Sequence, residues 1–544
     1  MLRLATILDN PGEPPAETRY RDPAALAELG YDGLAVYSTT GLSGLLGADT
    51  LAAGDVRQWV ADHFDHVEAT IAKAHAAGLD AWLVYDAPSL ARELVGSAMT
   101  CTRDERTLCP ASEQLLDMAG ECLIALLSHF DQVEGIVLRL GENDAHRTPY
   151  LVGNDIYAPR CSRCGGLSRA DRLVRFISYF YDVAVNRLGR RLMVRAWNAR
   201  PHGLHDSVEL CREVVGRLPE DNQRLLLSFK FTQTDFWRYQ QWNQASLVCG
   251  DRPIVYELEC QREFEGKGAV PNYQPPLWRD GMPEAPQPMG LAEAAGRVNL
   301  AGLWAWVRGG GYGGPYVGPE AETWIDANVV AVPQLAADPR ANLDELARHW
   351  ITGRLGCDDP GAIEALHRAL THSTQTVLES FYIGPYASGR SDPWHPSGDF
   401  VQDDLIDAEA GWAIVRQLPD RVLDEVMAEK QRAVERIAGD RRALQQAAGQ
   451  LPRHSGESVV HQMQYSESLV ETLAQLMQAC VAFKRVRRGG DGAAARSLQQ
   501  AVHHCQSYWN HHQRYANFRG TATAFRSDNL WDLTQQMVEQ TQLG

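Results

Sequence analysis

The sequence predicts a parallel α/β barrel of eight strands, a (β/α)8 TIM barrel, followed by an all-helical C-terminal domain. Three observations predict it. Eight short runs rich in Val, Ile, Leu and aromatic residues recur up to about residue 330, with Gly and Pro between them. Amphipathic stretches long enough for crossover helices, such as 56–77, 113–130 and 169–188, separate several of these runs. After about residue 340 the β pattern stops and helical periodicity continues to about residue 518 of the 544.

The predicted strands are 2–9, 33–38, 81–86, 135–142, 191–197, 225–231, 253–259 and 302–308. The same alternation also fits an open doubly wound sheet. A count of eight strands, with no Gly-x-Gly-x-x-Gly after the first, favours closure into a barrel. Predicted helices cover 342–355, 361–381, 404–417, 420–450, 458–485 and 493–518, and the Pro- and Gly-containing segment 384–398 reads as a long loop. The division is therefore 1–340 for the barrel and 341–544 for the helical domain.

Composition narrows the function. The formal charge of −17 argues against a nucleic-acid partner, which needs basic surface. No apolar run reaches the roughly 18 residues of a membrane span, and the N-terminus lacks a signal-peptide pattern, so a cytoplasmic protein is expected. Eleven scattered cysteines do not read as a secreted disulfide framework.

Barrel enzymes build their sites from the C-terminal ends of their strands. There the sequence places carboxylates (Glu142, Asp235, Glu257, Glu259, Glu263), cations (Arg195, Lys230, Arg308) and aromatics (Trp197, Phe236, Trp237, Trp304, Trp306). Facing carboxylates supply the acid and base of glycoside hydrolysis, aromatic faces offer platforms for sugars, and cations pair with an anionic substrate group. Each type also has a structural use, as cap, salt-bridge partner or core.

The order of these residues resembles the family 67 glycoside hydrolases, the α-glucuronidases. Glu257-Leu-Glu-Cys-Gln-Arg-Glu263-Phe-Glu-Gly266 is similar to that family's Glu-Phe-Gln-Ile-Thr-Gln-Glu-Tyr-Leu-Gly run. Lys230 followed by Asp235-Phe236, 28 residues before Glu263, resembles its Lys-Asn-Gly-Pro-x-Asp-Phe segment. Arg195-Ala-Trp197, Gly141-Glu142 and the stretch from Ile325-Asp-Ala-Asn328 to Trp350 have counterparts in the same order. The resemblance covers about residues 135–350. It implies Glu142 as general acid, Asp235 and Glu263 as the carboxylates that activate water for inversion, and Lys230 and Arg195 as holders of a sugar carboxylate. Glu257, Trp197, Trp306 and Arg308 complete the expected substrate-binding set. The family's N-terminal α/β domain has no counterpart before the first strand, the acid segment differs so that Asp144 is an alternative acid, and the strand-eight loop 308–316 does not match.

The expected function is thus an exo-acting glycosidase on uronic-acid or related sugars of short oligosaccharides, with no cofactor in the reaction. Two alternatives are a non-catalytic carbohydrate-binding barrel and a phosphosugar isomerase or aldolase using Lys230 and the glycine loop. Cys101, Cys109, Cys161 and Cys164 lie in loops after adjacent strands and could form a structural zinc site; a disulfide, a redox pair or free thiols fit them too. His503, His504, His511 and His512 among the aromatics of the 493–518 helix read as a packed or intersubunit face, compatible with a homodimer through the helical domain.

Overall fold

The structure, a computed structural model, describes residues 1–9, 15–37, 54–101, 104–141, 151–153, 156–310, 317–451, 456–489, 492–517 and 526–542. Eight parallel strands close a barrel: β1 (Leu2–Leu8), β2 (Gly33–Val36), β3 (Asp80–Asp86), β4 (Gly135–Gly141), β5 (Arg191–Asn198), β6 (Leu225–Lys230), β7 (Pro253–Glu259) and β8 (Asn299–Gly309). Each pairs with its sequence neighbours, and β1 closes on β8 from Leu2↔Gly302 to Leu8↔Gly309. Near-continuous burial along β3, β6 and β7 fits strands covered on both faces, which explains their apolar character.

The helical layer is less regular than the expected one helix per strand. Full crossover helices α1 (Gly54–Ala76), α2 (Glu113–His129) and α3 (Arg169–Tyr181) precede β3, β4 and β5, and the shorter α4 (Val208–Val215) precedes β6. Among the described residues, only a 3-10 turn (Ala245–Val248) lies between β6 and β7. The β7–β8 connection holds two short helices, Pro275–Asp280 and Leu291–Ala294. Those connections instead carry long segments that run over the barrel mouth.

Helix α5 (Thr323–Ala337) is buried on nearly all sides and stands between the barrel and the helices after it. Pro333 inside α5 has no N–H for the Val329 carbonyl, and the Tyr31 hydroxyl donates to that oxygen at 2.8 Å instead. One turn earlier, Asn328 donates to the carbonyls of Cys260 and Asn272, both at 2.9 Å, and accepts from the Gln274 N–H at 2.8 Å. A single side chain thereby fastens the segment after β7.

The C-terminal part comprises α6 (Leu343–His349), α7 (Pro360–Phe381), α8 (Ala408–Gln417), α9 (Leu423–Gln446), α10 (Gly456–Arg487), α11 (Gly492–Gln513) and α12 (Leu530–Gln542). Residues 404–407, expected at the start of a helix, belong instead to a small hairpin, Val401–Gln402 against Leu405–Ile406, and the Asp407 carboxylate caps α8. Residue 340 is not a seam in the interior: one apolar cluster runs from Leu4 and Trp82 in the barrel to Tyr465, Leu473 and Met537 in the helices. Of the four α11 histidines, His512 is packed within the chain, whereas His503 and His511 are exposed. His512 is buried, shares a hydrogen bond with Ser468 Oγ at 2.8 Å and stacks on Trp509. Among the described residues no helix is long and apolar enough to cross a membrane.

Asn328→Ala leaves the buried Cys260 carbonyl and the Gln274 N–H without their partner, and the Asn272 carbonyl with only a 3.4 Å bond from Gln274 Nε2. At about 1–3 kcal/mol per orphaned group, partly relieved by rearrangement, the expected loss is about 3 kcal/mol, read as a lower urea midpoint. An unchanged midpoint would show that Asn328 does not hold the β7 segment.

Candidate active site

Parallel register brings the expected residues to one end of the barrel. Lys230 lies opposite Glu257, Ser228 opposite Arg195, and Glu259 opposite Trp306. Arg195 and Glu257 are both fully buried. The Arg195 Nε sits 3.1 Å from each Glu257 oxygen, and Ser228 Oγ and Trp306 Nε1 donate to the same carboxylate at 2.9 and 3.2 Å. The guanidinium also lies over the Trp306 ring, 4.7 Å from its centroid. A second buried pair, Arg139 with Asp86, forms a two-point fork at 2.5 and 2.9 Å beside Tyr37.

Above this layer, Lys230 donates to Asp235 and lies over the rings of Trp197 (3.9 Å) and Phe236 (4.3 Å). The aromatic faces fix the ammonium while its carboxylate partner remains partly exposed. Asp235 also accepts the Phe236 N–H at 2.8 Å. Its loop is fastened by mutual hydrogen bonds between Gln233 and Gln241 and by Asn243, which donates to the Thr232 and His205 carbonyls.

The segment after β7 supplies two more carboxylates. Glu259 accepts from Arg262 Nη1 at 3.2 Å and from the Glu263 N–H at 2.6 Å. Burial, opposed by Arg262, pushes the Glu259 carboxyl up to about 7. Glu263 is pushed well above the usual carboxylate range, first by burial and then by the charges of Glu259 and Asp235. Arg262 takes a left-handed backbone (φ 62°) and is clamped between Glu259 and Glu265, and Glu265 is held in turn by Tyr382 and Asn272. Gly310 passes so close that a Cβ there would sit 2.4 Å from Glu263 Oε2.

The fourth wall comes from the C-terminal part. The 384–398 segment, expected as a plain loop, carries Trp394 onto Trp197 (stacked, 5.9 Å) and Trp237 (5.7 Å), with His395 4.5 Å from Trp237. Gln240 beside the Asp235 loop donates to the Pro393 carbonyl. Asp403, also from this part, adds to the negative field around Glu263.

The structure thus brings Asp235, Glu263, Lys230, Trp197, Trp306, Arg195 and Glu257 to one mouth. Glu142 and Asp144 lie outside the described residues, as do 311–316 of the glycine loop. Three expectations for substrate binding are corrected, the first being Arg195, which is fully buried with its Nε against Glu257 and so is no direct holder of a sugar carboxylate. Arg308 is fully buried, donating to Gln261 Oε1 (2.7 Å), the Val317 carbonyl (2.7 Å) and Glu322, so it braces the barrel end. Glu257 is buried beneath the mouth and acts on Arg195 and Trp306. The cations expected to pair with an anionic substrate group already face carboxylates of the protein. Arg139, Arg195, Lys230 and Arg262 each face a carboxylate, and Asp403 adds a further negative group near Glu263.

Sequence reasoning missed Asp86, Arg262, His205 and Trp394. A charged residue ending an apolar strand was a usable signal for Asp86. Buried His205, whose Nδ1 accepts the Asn198 N–H at 3.3 Å, is kept neutral, its pKa lowered to about 3 by burial and by Lys230 and Arg195.

No protein-family model matches the sequence, and no curated protein matches it. Among solved structures, a GH138 enzyme targeting pectin rhamnogalacturonan II is similar in fold: TM-score 0.60 at 11% identity, covering 100% of this chain and 83% of that one. A mutant O-GlcNAc hydrolase of Thermobaculum terrenum aligns over 99% of this chain and 95% of that one, with TM-score 0.46 and 12% identity. The likeness to the first extends through barrel and helical part together, so the fold is a TIM barrel joined to a helical C-terminal part.

Proposed function

We propose that the protein is a glycoside hydrolase acting at the end of short oligosaccharides. The observation that carries this reading is the pairing of two differently held carboxylates at one aromatic-lined mouth. Asp235 is fixed by an ammonium and a backbone N–H, while Glu263 binds its proton more tightly than a free glutamate. Raised proton affinity suits a group that takes a proton from water, and Glu142 keeps the role of general acid that the family 67 resemblance implies. Trp394, the partly exposed ring of a cluster whose other members Trp197 and Trp237 are buried, supplies an apolar face for a sugar ring. Closure by the Trp394 segment favours attack on a chain end over attack within a long polymer.

Inversion and a terminal uronic acid are the finer parts of the proposal and rest on the same resemblance. Lys230 is the cation nearest the partly open carboxylates and would share itself between Asp235 and a sugar carboxylate. The aldolase alternative fits less well, because the Lys230 ammonium is engaged by Asp235 and two aromatic faces as a charge.

The test is a screen of short oligosaccharides with and without uronic acids, pectic fragments included, that identifies the released sugar and its anomeric form. Asp235→Asn, Glu263→Gln and Glu142→Gln are each expected to lower kcat/KM by about 10²–10⁴-fold while the proteins remain folded. Full activity in all three would refute this site, absence of any released sugar across the screen would end the hydrolase reading, and release of neutral sugars alone would end the uronate reading. The base must be ionised, so kcat/KM is expected to rise with pH through the Glu263 titration. Glu259→Gln removes a neighbouring negative charge, lowers the Glu263 pKa and should move that limb to lower pH; an unmoved limb would exclude Glu263 as its origin. Trp394→Ala should raise KM by up to about tenfold with a smaller change in kcat.

A further inference from the structure

Four cysteines lie apart from both the active-site residues and the main core. Cys101 ends one strand of a small hairpin, Thr100–Cys101 against Asp104–Leu108, and Cys109 follows its second strand. Cys161 and Cys164 flank the start of the short helix Ser162–Gly165. The hairpin belongs to the β3–α2 connection and the helix to the β4–α3 connection, so each loop supplies two sulfurs. We infer that these four residues bind a structural zinc ion as a tetrathiolate.

Three observations carry the inference. The first is spacing. All four Sγ atoms lie within 4.8 Å of one another, with contacts of 3.6 Å (Cys161–Cys164), 3.7 Å (Cys109–Cys161) and 4.0 Å (Cys101–Cys164). Zinc–sulfur bonds of about 2.3 Å in a tetrahedron put the sulfurs about 3.8 Å apart. A disulfide would need about 2.05 Å.

The second is isolation. The cluster consists of the four cysteines with Ala111 packed against it and shares no side chain with the larger apolar clusters. Thiols used as ordinary core filling sit among aliphatic and aromatic neighbours, as Cys122 and Cys480 do here. A group of four sulfurs with almost nothing else is a poor apolar core and a good ligand set.

The third is the surrounding donors. Cys164 Sγ accepts the Arg160 and Cys161 N–H groups at 3.2 and 3.4 Å, and Cys109 Sγ accepts Arg163 Nε at 3.3 Å. Arg163 is itself locked onto the carbonyls of Ala98 (3.0 Å) and Thr100 (2.7 Å). N–H groups and a fixed cation aimed at sulfur favour thiolates and orient them, as the outer shell of a metal site does. Soft sulfur ligands in tetrahedral array select zinc over the hard divalent cations.

The ion would join two loops of the barrel mouth, and the second of them begins at Glu142. Its role is therefore to hold the rim, and the site stands whatever reaction the barrel performs.

Metal analysis of the full-length protein, purified under reducing conditions without chelator and dialysed against trace zinc, tests the inference. About one zinc per chain is expected, released on titration of four thiols with an organomercurial. Cobalt(II) exchanged into the wild-type protein should give thiolate charge-transfer and tetrahedral d–d bands. Cys161→Ser with Cys164→Ser should abolish zinc binding, whereas Cys249→Ser, in the separate Cys211–Cys249 contact, should retain it. Less than about half an equivalent in the reconstituted wild type would overturn the site. So would mass mapping of Cys101–Cys164 or Cys109–Cys161 disulfides, or iron in place of zinc. The wild-type measurements decide even where the double variant fails to fold.

Discussion

A charge inside a closed barrel has no water to solvate it, so everything at the mouth rests on how Glu257 is neutralised. Arg195 faces both of its oxygens, and Ser228 and Trp306 complete the set. Burying such a pair is costly unless the geometry is good and the remaining hydrogen-bonding capacity is filled. Here the Glu257 carboxylate, on β7, is met by residues from β5, β6 and β8. The pair therefore fixes the relative rotation of those strands, and with it the directions in which Trp197, Lys230 and Glu259 leave the barrel.

Built on that floor, the mouth separates its ionisable groups by environment. Lys230 has two aromatic faces and a carboxylate, Arg262 has two carboxylates, and Glu263 is left among negative neighbours. The protein's overall acidity therefore continues into the site. Positive charge is used there to place carboxylates, and the field around Glu263 raises its affinity for a proton.

The barrel was legible because its strands are short, apolar and buried on both faces, so that periodicity and punctuation locate them. Asp235, Glu263, Lys230 and Trp197 were legible because each follows or ends such a run. Arg308 and Glu257 misled for one reason: position along a strand shows that a side chain points inward, but not how deep it lies or what already occupies it. Trp394 was illegible. Its approach to Trp197 depends on how α7 and α9 pack on the barrel and on the Gln240–Pro393 contact, which join residues far apart in sequence. The four cysteines were visible as two loop pairs, and only the fold brings the pairs within reach of one ion.

The Trp394 segment also has a bearing on how the molecule is made. Chains emerge from the ribosome N-terminus first. All eight barrel strands leave before residue 310, while Trp394, which walls the mouth, follows about 85 residues later, and the α10 and α12 residues that join the shared apolar core come later still. A barrel that folded in that interval would have one side open and part of its apolar surface uncovered. The C-terminal helices thus complete the barrel only once the whole chain has been made, covering apolar surface that was translated before them.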